Sequence, residues 1–528
     1  MLFTSGVFLL FLLALFLLYY LIPKKLQWMM LLVANAVFYA FAGWQGCAYI
    51  SVTILSTYII SRRIEAIKSA REQYAKEHKE ELTREQKIAY KSKTKSILRV
   101  WLAVCLVLNF GILAVLKYAN FAVGAVTSLV SPAAPPFYID LVLTMGISFY
   151  TFQTMGYLLD VYRGKYPAER NVFKLALFVS FFPLLVQGPI SRYGTLSKTL
   201  YSPHPFDAKQ ISFGLQRMLW GYFKKVVIAD RVLVAVSALT ADPETYQGVY
   251  VLCGMLFYAL GLYADFTGGI DITIGIAQVL GVRVEENFLR PYFSKSIAEF
   301  WRRWHISLGT WFRDYLFYPI SASKPMLSLS KKARAKLGNG FGKRLPVYIS
   351  TIFLWFITGL WHGAAWNFIV WGLLIGIIII ISQEFTPLYT RFHGRFPGLR
   401  DKAAYRLFQI LRTMFIMSSI RLLDVYRDVP TSFRAFFSIF TNWNWDELGS
   451  GALLKLGLSA ADYIVVGIGA VILTAFSLMQ RRGNIRERLH LKPQALRYGV
   501  IIIVLVAVLL IGAYGTGFNA SQFIYNQF

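Results

Sequence analysis

Charge is scarce in this chain of 528 residues: only 16% are Asp, Glu, Lys or Arg, against about a quarter in soluble globular proteins. Acid is scarcer than base, with 27 Asp and Glu against 55 Lys and Arg, a formal net charge of +28. Cysteine is nearly absent. Cys47, Cys105 and Cys253 lie far apart, in or beside apolar runs and without a CxxC or Cys/His spacing, which excludes a zinc site or a disulfide framework and leaves them as small buried hydrophobes. What abounds is apolar, with 56% hydrophobic residues, 42 Phe, 31 Tyr and 13 Trp, and a mean hydropathy of +0.50. Disordered, fibrous and ordinary cytosolic proteins are excluded, and a multi-span membrane protein is indicated.

The bases gather in loops between apolar runs, the pattern that orients spans against an anionic cytoplasmic leaflet. No basic domain stands free of these runs, so nucleic acid is not expected as a partner. Val7–Ile22 follows a start without a positive residue and precedes Pro23-Lys24-Lys25; it reads as an uncleaved first span with the N-terminus outside. Leu26–Gly43 and Ala48–Ser61 follow as spans. Arg62–Arg99, with twelve Lys/Arg and six Glu, reads as a solvated cytoplasmic helix or helical hairpin. Ile97–Ala119 and Phe137–Leu159 are the next spans, joined by an external stretch around Pro132, Pro135 and Pro136. Val172–Ile190 is apolar but holds Pro183 and Gln187-Gly188-Pro189, which predicts a re-entrant or broken element lining a cavity.

Val226–Ala241 and Val249–Ala264 flank an acidic external turn. Lys324–Arg344 carries seven Lys/Arg and no acid, the clearest cytoplasmic loop. Val347–Ser382, 36 residues, would run about 54 Å as one helix, too long for a hydrocarbon core of about 30 Å. It must fold back, with the break at Gly359–Ala365. Tyr405–Leu423, Asp462–Met479 and Tyr498–Gly512 complete roughly eleven or twelve spans, and the basic stretch Arg481–Arg497 puts the C-terminal tail outside. No internal repeat supports an inverted-repeat transporter.

Six histidines occur. His78, His204, His393 and His490 sit in polar or basic stretches and read as solvated. His305 and His362 stand in FWRRWH and LWHG, and an ionisable group at membrane depth points to function. Imidazole titrates nearest neutrality and suits a general base; the bland alternative is a neutral histidine bonded between helices. Ser294–Tyr318 shows helical spacing of Phe300, Trp304, Leu308, Trp311 and Tyr315 beside Arg302, Arg303, Arg313 and Asp314. It predicts an amphipathic interfacial helix, or a cationic aromatic mouth receiving a phosphate-bearing donor. Asp265 and Asp271 pair with those arginines or cap broken helices. The tail Phe523–Phe528 is unusually apolar for an external tether and reads as a plug or a docking segment.

Glu299–Ile306 (EFWRRWHI), Trp311–Leu316 (WFRDYL), Leu360–Ala364 (LWHGA), Gln187–Arg192 (QGPISR) and Tyr263–Asp271 together resemble the membrane-bound O-acyltransferase superfamily. Within it they resemble the bacterial branch of alginate O-acetylation and teichoic acid D-alanylation. The likeness covers about Gly146 to Gly376 and departs from the family pattern at Gly269-Ile270.

It implies an all-α polytopic membrane fold, a ring of about eleven to twelve helices with re-entrant elements around a central tunnel. It implies a division into N-terminal spans (1–61), a charged cytoplasmic segment (62–99), a catalytic core (100–382), C-terminal spans (383–514) and an extracytoplasmic tail (515–528). His362 and His305 are then catalytic. Trp301, Arg302, Arg303, Trp304, Arg313, Asp314, Trp361 and Asn367 line the donor side, with Gln187, Asp265 and Asp271 as supporting polar groups. Tyr525, in the FIYxxF ending, is a candidate acyl relay. No metal or permanent cofactor is expected. The donor is an acyl-CoA or an acyl-phosphopantetheine carrier protein, and the partners are an extracytoplasmic acyltransferase, a surface polymer and the bilayer of a bacterial plasma membrane. The acyl group is read as acetyl, with D-alanyl as the alternative. A polymer or acyl-lipid transporter, and a scaffold for a secreted transferase, are the competing classes.

Overall fold

Helices account for the regular structure of the computed structural model, which describes residues 1–130 and 138–514. The tail with Tyr525 and the prolines at 132, 135 and 136 lie outside these residues. Two compact units are formed, one from Met1–Ile211 with Ile276–Val284, the other from Ser212–Gly275 with the chain from Glu285 on.

The first unit begins with α1 (Gly6–Leu21), capped by the Ser5 hydroxyl accepting from Phe8 N at 3.2 Å, and α2 (Gln27–Ala40). The charged stretch is not a separate element. It is the meeting ends of a hairpin, α3 (Trp44–Glu77) running unbroken from apolar into polar sequence and α4 (Arg84–Val130) from polar into apolar. Their apolar halves are joined by a buried contact of Thr57 with Cys105, and by Asn109 Nδ2 donating to Ser56 Oγ at 3.2 Å. Cys105 is buried as expected, whereas Cys47 and Cys253 are only half-buried.

Phe137–Leu159 does not form one span: the described chain before Gly146 is non-helical, and α5 runs Ile147–Arg163. Around it, α6 (Val172–Ser180) and α7 (Phe182–Gln187) are the two halves of the expected broken element, and α8 (Tyr193–Leu200) follows. The break is chemically closed. Asn35 Oδ1 accepts from Phe182 N at 3.1 Å, and Gln153 donates to Phe178 O and accepts from Ser191 N. Buried amides freed by a helix break need such partners. His204, expected to be solvated, packs its ring against the backbone of Gly281 and bonds Thr199 O.

In the second unit α9 (Ala208–Tyr222) continues through a π-helical stretch, Phe223–Ala229, into α10 (Asp230–Ala241). This rod lies against α11 (Val249–Val279) at glycine contacts: a Cβ on Gly221 would fall 2.6 Å from Gly268 O, and one on Gly275 2.7 Å from Gly214 O. Close backbone approach lets the lysines of the π stretch reach α11. Lys225 Nζ sits 2.7 Å from both Asp265 and Asp230, with Lys225 and Asp265 sealed from solvent, and Lys224 Nζ lies 2.6 Å from Asp271 and 2.8 Å from Thr267 Oγ1. Arg217 also pairs with Asp271 at 2.8 Å. Asp265 and Asp271 therefore find cationic partners, but on the α9–α10 rod instead of Arg302, Arg303 or Arg313.

Next come α12 (Ile297–Arg303), α13 (Ile306–Phe312), α14 (Tyr318–Ser321) and α15 (Lys324–Leu337). The expected hairpin is α16 (Asn339–His362) and α17 (Trp366–Glu384), broken at Gly363–Ala365. The chain continues through α18 (Thr386–Arg395), α19 (Ala403–Ile420), α20 (Leu422–Tyr426) and α21 (Val429–Thr441). It closes with α22 (Ala460–Met479), opened by a Ser459–Asp462 capping box, α23 (Ile485–His490) and α24 (Gln494–Ile511). Among the described residues six helices are long and apolar enough to cross a membrane; the larger number expected from sequence also counts shorter apolar segments. The chain is an all-α, polytopic membrane protein.

Replacing Lys225 by Met leaves two buried carboxylates without their ammonium. It should cost about 3–5 kcal/mol, read as a large drop in melting temperature in detergent. Arg344→Met, at an exposed pair with Glu384, should cost less than about 1 kcal/mol.

Candidate functional site

The amphipathic stretch starts as the spacing predicts. Ser296 Oγ accepts from Glu299 N at 3.2 Å and opens α12. It does not continue as one helix: Trp304 is extended and His305 adopts the left-handed conformation, φ 47° and ψ 54°, before α13 begins. The five apolar positions read from the periodicity, Phe300, Trp304, Leu308, Trp311 and Tyr315, are nevertheless all buried.

Left-handed backbone is uncommon outside glycine, and here one residue enforces it. Asn287, fully buried, accepts from Ile306 N through its carbonyl at 3.0 Å, and from Ser307 N and Oγ through Oδ1 at 2.9 and 3.0 Å. Those donors fix the carboxamide orientation, so its Nδ2 faces His305 Nδ1 at 3.4 Å. A neutral imidazole accepting there carries its proton on Nε2. Burial holds the His305 pKa well below its ordinary value, because an uncompensated charge is costly in an apolar surround. Sequence reasoning missed Asn287, eighteen residues upstream of His305, since nothing in its local pattern marks it.

His362 is the last residue of α16. The α16–α17 hairpin closes on glycines: a Cβ on Gly359 would lie 2.3 Å from Phe368 O, and one on Gly372 2.2 Å from Trp355 O. That approach sets the His362 ring against Trp371 at 4.5 Å and beside Phe368 at 6.3 Å. Trp361, just before it, packs edge-on against His305 at 5.7 Å. The two histidines, 57 residues apart in the chain, thus flank one indole. Phe266 closes on His305 at 5.1 Å, while Trp301 joins Trp371 at 5.6 Å and Trp355 at 4.7 Å. The indole N–H groups of Trp301 and Trp371 are buried and have no hydrogen-bond partner among the described residues. Buried indoles usually find one.

Around this aromatic box, the Arg421 guanidinium lies 4.6 Å from the centre of the Trp304 ring and 3.2 Å from Asp424. Arg421, Trp355 and Trp371 were not singled out by sequence reasoning; the glycines four and one residues from Trp355 and Trp371 were the available signal. Trp301, Trp304 and Trp361 join the histidines as expected. Arg302 does not, being exposed; Arg303 pairs with Glu299 at 2.5 Å, and Arg313 pairs with Asp314 at 3.2 Å on the surface. Asn367 Nδ2 donates to Leu423 O at 2.9 Å and ties α17 to α20. Gln187 ends α7 in the first unit and is fully buried. No group of three or more His, Cys, Asp or Glu that could hold a metal exists among the described residues.

Asn287→Ala should cost about 1–3 kcal/mol, the penalty for stranding buried donors, and should shift the tryptophan emission as the His305 turn relaxes. Arg302→Ala, at an exposed position, should leave both melting temperature and emission unchanged.

Comparison with known proteins identifies the family of the chain. Residues 167–423 match the family model described as MBOAT, membrane-bound O-acyltransferase family. The chain is 32% identical over 481 residues to a probable alginate O-acetylase AlgI of Azotobacter vinelandii, covering 89% of this chain and 84% of that protein. It is 30% identical over 327 residues to a peptidoglycan O-acetyltransferase of Helicobacter pylori, covering 57% and 58%. It is 28% identical over 261 residues to a teichoic acid D-alanyltransferase of Bacillus subtilis, covering 48% and 62%. The segment that carries both histidines and the indoles between them lies inside the matched region, and the chain belongs to the membrane-bound O-acyltransferase family.

Proposed function

We propose that this O-acyltransferase moves an acetyl group from a cytoplasmic thioester to a hydroxyl of a cell-surface polymer, with His362 as general base. The observation that carries the reading is the packing of His305 and His362 about Trp361 in a buried aromatic box. An imidazole in such a surround, joined to solvent-poor walls, suits proton transfer that must exclude hydrolysis.

The reaction is written as an exchange at one carbonyl carbon. A hydroxyl oxygen attacks the thioester carbon as its proton passes to the His362 imidazole. The tetrahedral intermediate collapses, the C–S bond breaks, and the proton leaves with the thiolate. The product is an ester and a free thiol of CoA or of a carrier protein's phosphopantetheine. The orphaned indole N–H groups of Trp301 and Trp371 are assigned to the carbonyl oxygen, where donors to a developing oxyanion act most strongly. His305, kept neutral by burial, positions Trp361 and the donor end of the box. Trp304, Arg302, Arg303, Arg313 and Asp314 form the approach for the donor's phosphates; the surface position of Arg302 and Arg313 suits an entry and not the reacting centre.

Tyr525 lies outside the described residues and enters as the first acceptor: its hydroxyl, with an ordinary pKa of about 10, is easier to deprotonate than that of serine. The ester then passes to an extracytoplasmic transferase or directly to the polymer. The protein is placed in a bacterial plasma membrane with both termini outside, on the distribution of its bases. The printed names of the alginate and peptidoglycan relatives favour acetyl. D-alanyl transfer to teichoic acid, the activity named for the Bacillus subtilis relative, uses the same exchange.

His362→Ala should lower surface O-acylation by about 10²–10⁴-fold while the protein inserts at the wild-type level; unchanged acylation, measured as base-released acetate from cell-wall or exopolysaccharide fractions, refutes the assignment. Tyr525→Phe should leave binding of the thioester donor by the purified protein unchanged but stop transfer to the polymer. Intact-protein mass spectrometry should show an acetyl adduct on wild-type protein incubated with acetyl donor and none on this variant.

A further inference from the structure

Apart from the histidine box, the second unit holds an amphipathic cleft. Its apolar part, about 420 Å³, lies between α11, α19 and α22, within the size range of small-molecule sites. Along α22 it follows a single stripe, Tyr463, Val466, Gly467, Ala470, Thr474 and Ser477, positions spaced at three and four residues that share one helix face. Tyr463 to Ser477 spans about 21 Å at 1.5 Å per residue, the reach of an extended long acyl chain and far more than a two-carbon acetyl group fills.

At the Ser477 end the character changes. A smaller pocket of about 60 Å³ shares Tyr263, Arg290, Leu473 and Ser477 with the apolar cleft and adds Arg217, Lys224, Asp271 and Glu286. The last four neutralise one another: Arg217 pairs with Asp271 and Glu286, and Lys224 with Asp271. Arg290, on the shared wall, has no carboxylate partner among the described residues, and Arg303 and Arg481 lie close enough for their charges to act on it. Arg481 opens the basic stretch that follows α22. A narrow apolar channel thus ends in a cationic mouth beside the loop that the charge pattern places at the cytoplasmic surface, where membranes carry anionic lipid.

We infer that this cleft is a binding site for an anionic phospholipid of the membrane, one acyl chain lying along the Tyr463–Ser477 face of α22 and the phosphate meeting Arg290. Charge complementarity selects the occupant. A zwitterionic headgroup would bring its own cation against Arg290 and Arg481, and a free thioester donor would leave the length of the apolar channel unfilled. The site is independent of the acyl-transfer reading, because none of its lining residues belongs to the histidine box.

The full-length protein, incubated with vesicles of equimolar phosphatidylglycerol and phosphatidylcholine and released into mild detergent, is examined by native mass spectrometry. One bound phosphatidylglycerol should be retained in preference to phosphatidylcholine by about fivefold or more, the ratio that corresponds to about 1 kcal/mol per basic residue at a membrane surface. Arg290→Glu should bring the preference to parity or reverse it, and Ala470→Leu, which fills the channel, should lower retention of both lipids without changing their ratio. Arg391→Glu, an exposed basic position on α18, should leave ratio and retention as in wild type; both cleft variants are compared at matched monodispersity. Equal retention of the two lipids by the wild type, an unchanged ratio in Arg290→Glu, or displacement of the bound lipid by acetyl-CoA overturns the assignment.

Discussion

Asn287 accepts three hydrogen bonds across one turn, from Ile306 N at its backbone carbonyl and from Ser307 N and Oγ at its carboxamide oxygen, and the turn is the one on which His305 stands. A non-glycine residue in left-handed backbone stores strain that its surroundings must hold. Here the surroundings are the loop that carries Asn287, tied to the end of α12 by Leu289 N donating to Arg303 O at 2.9 Å beside the Asn287 bonds. Remove that clamp and the chain from Ile297 to Tyr318 is free to form the continuous amphipathic helix its periodicity favours, with His305 rotated away from Trp361. The break in the helix is what brings a buried imidazole into the aromatic box.

The same constraint, that a polar group surrounded by apolar atoms must be partnered, explains the other irregular elements. The break between α6 and α7 is tolerated because Asn35 and Gln153 bond the amides and carbonyl it frees. Two lysines in the apolar middle of the α9–α10 rod are tolerated because Gly221 and Gly268 let α11 come close enough to offer Asp265 and Asp271. Irregular backbone, buried charge and glycine contact are thus one device. Each bend exposes a polar group, and each exposed group is met by a side chain delivered from a neighbouring helix.

Much of this was legible in one dimension. The hairpin at Val347–Ser382 followed from helix rise against bilayer thickness, and its break falls at Gly363–Ala365 within the interval that length and glycine content indicated. The burial of Phe300, Trp304, Leu308, Trp311 and Tyr315 followed from their spacing even though the helix is interrupted, because the break at Trp304 and His305 keeps the same side of the chain against the core. The pairing of Asp265 and Asp271 was expected, but their partners were misassigned to nearby arginines. Sequence proximity is a poor guide to ion-pair partners where Arg217, Lys224 and Lys225 arrive on an adjoining helix. Asn287 and Arg421 carried no local signal, and for Trp355 and Trp371 the signal was only the neighbouring glycines Gly359 and Gly372.

The sequence by itself determined the environment and the element type: apolar runs of spanning length, basic loops, and a motif set dense enough to place the chain in its family and to pick out His305 and His362. Periodicity and hydropathy are properties of contiguous residues, so they can be read without a fold. The tertiary structure alone decided that those two imidazoles share one indole, that an asparagine eighteen residues away sets the tautomer of one of them, and that an arginine beside α22 stands at the mouth of an apolar channel. These are relations between residues brought together by helix packing, and packing depends on volumes and on glycine contacts whose partners lie anywhere in the chain.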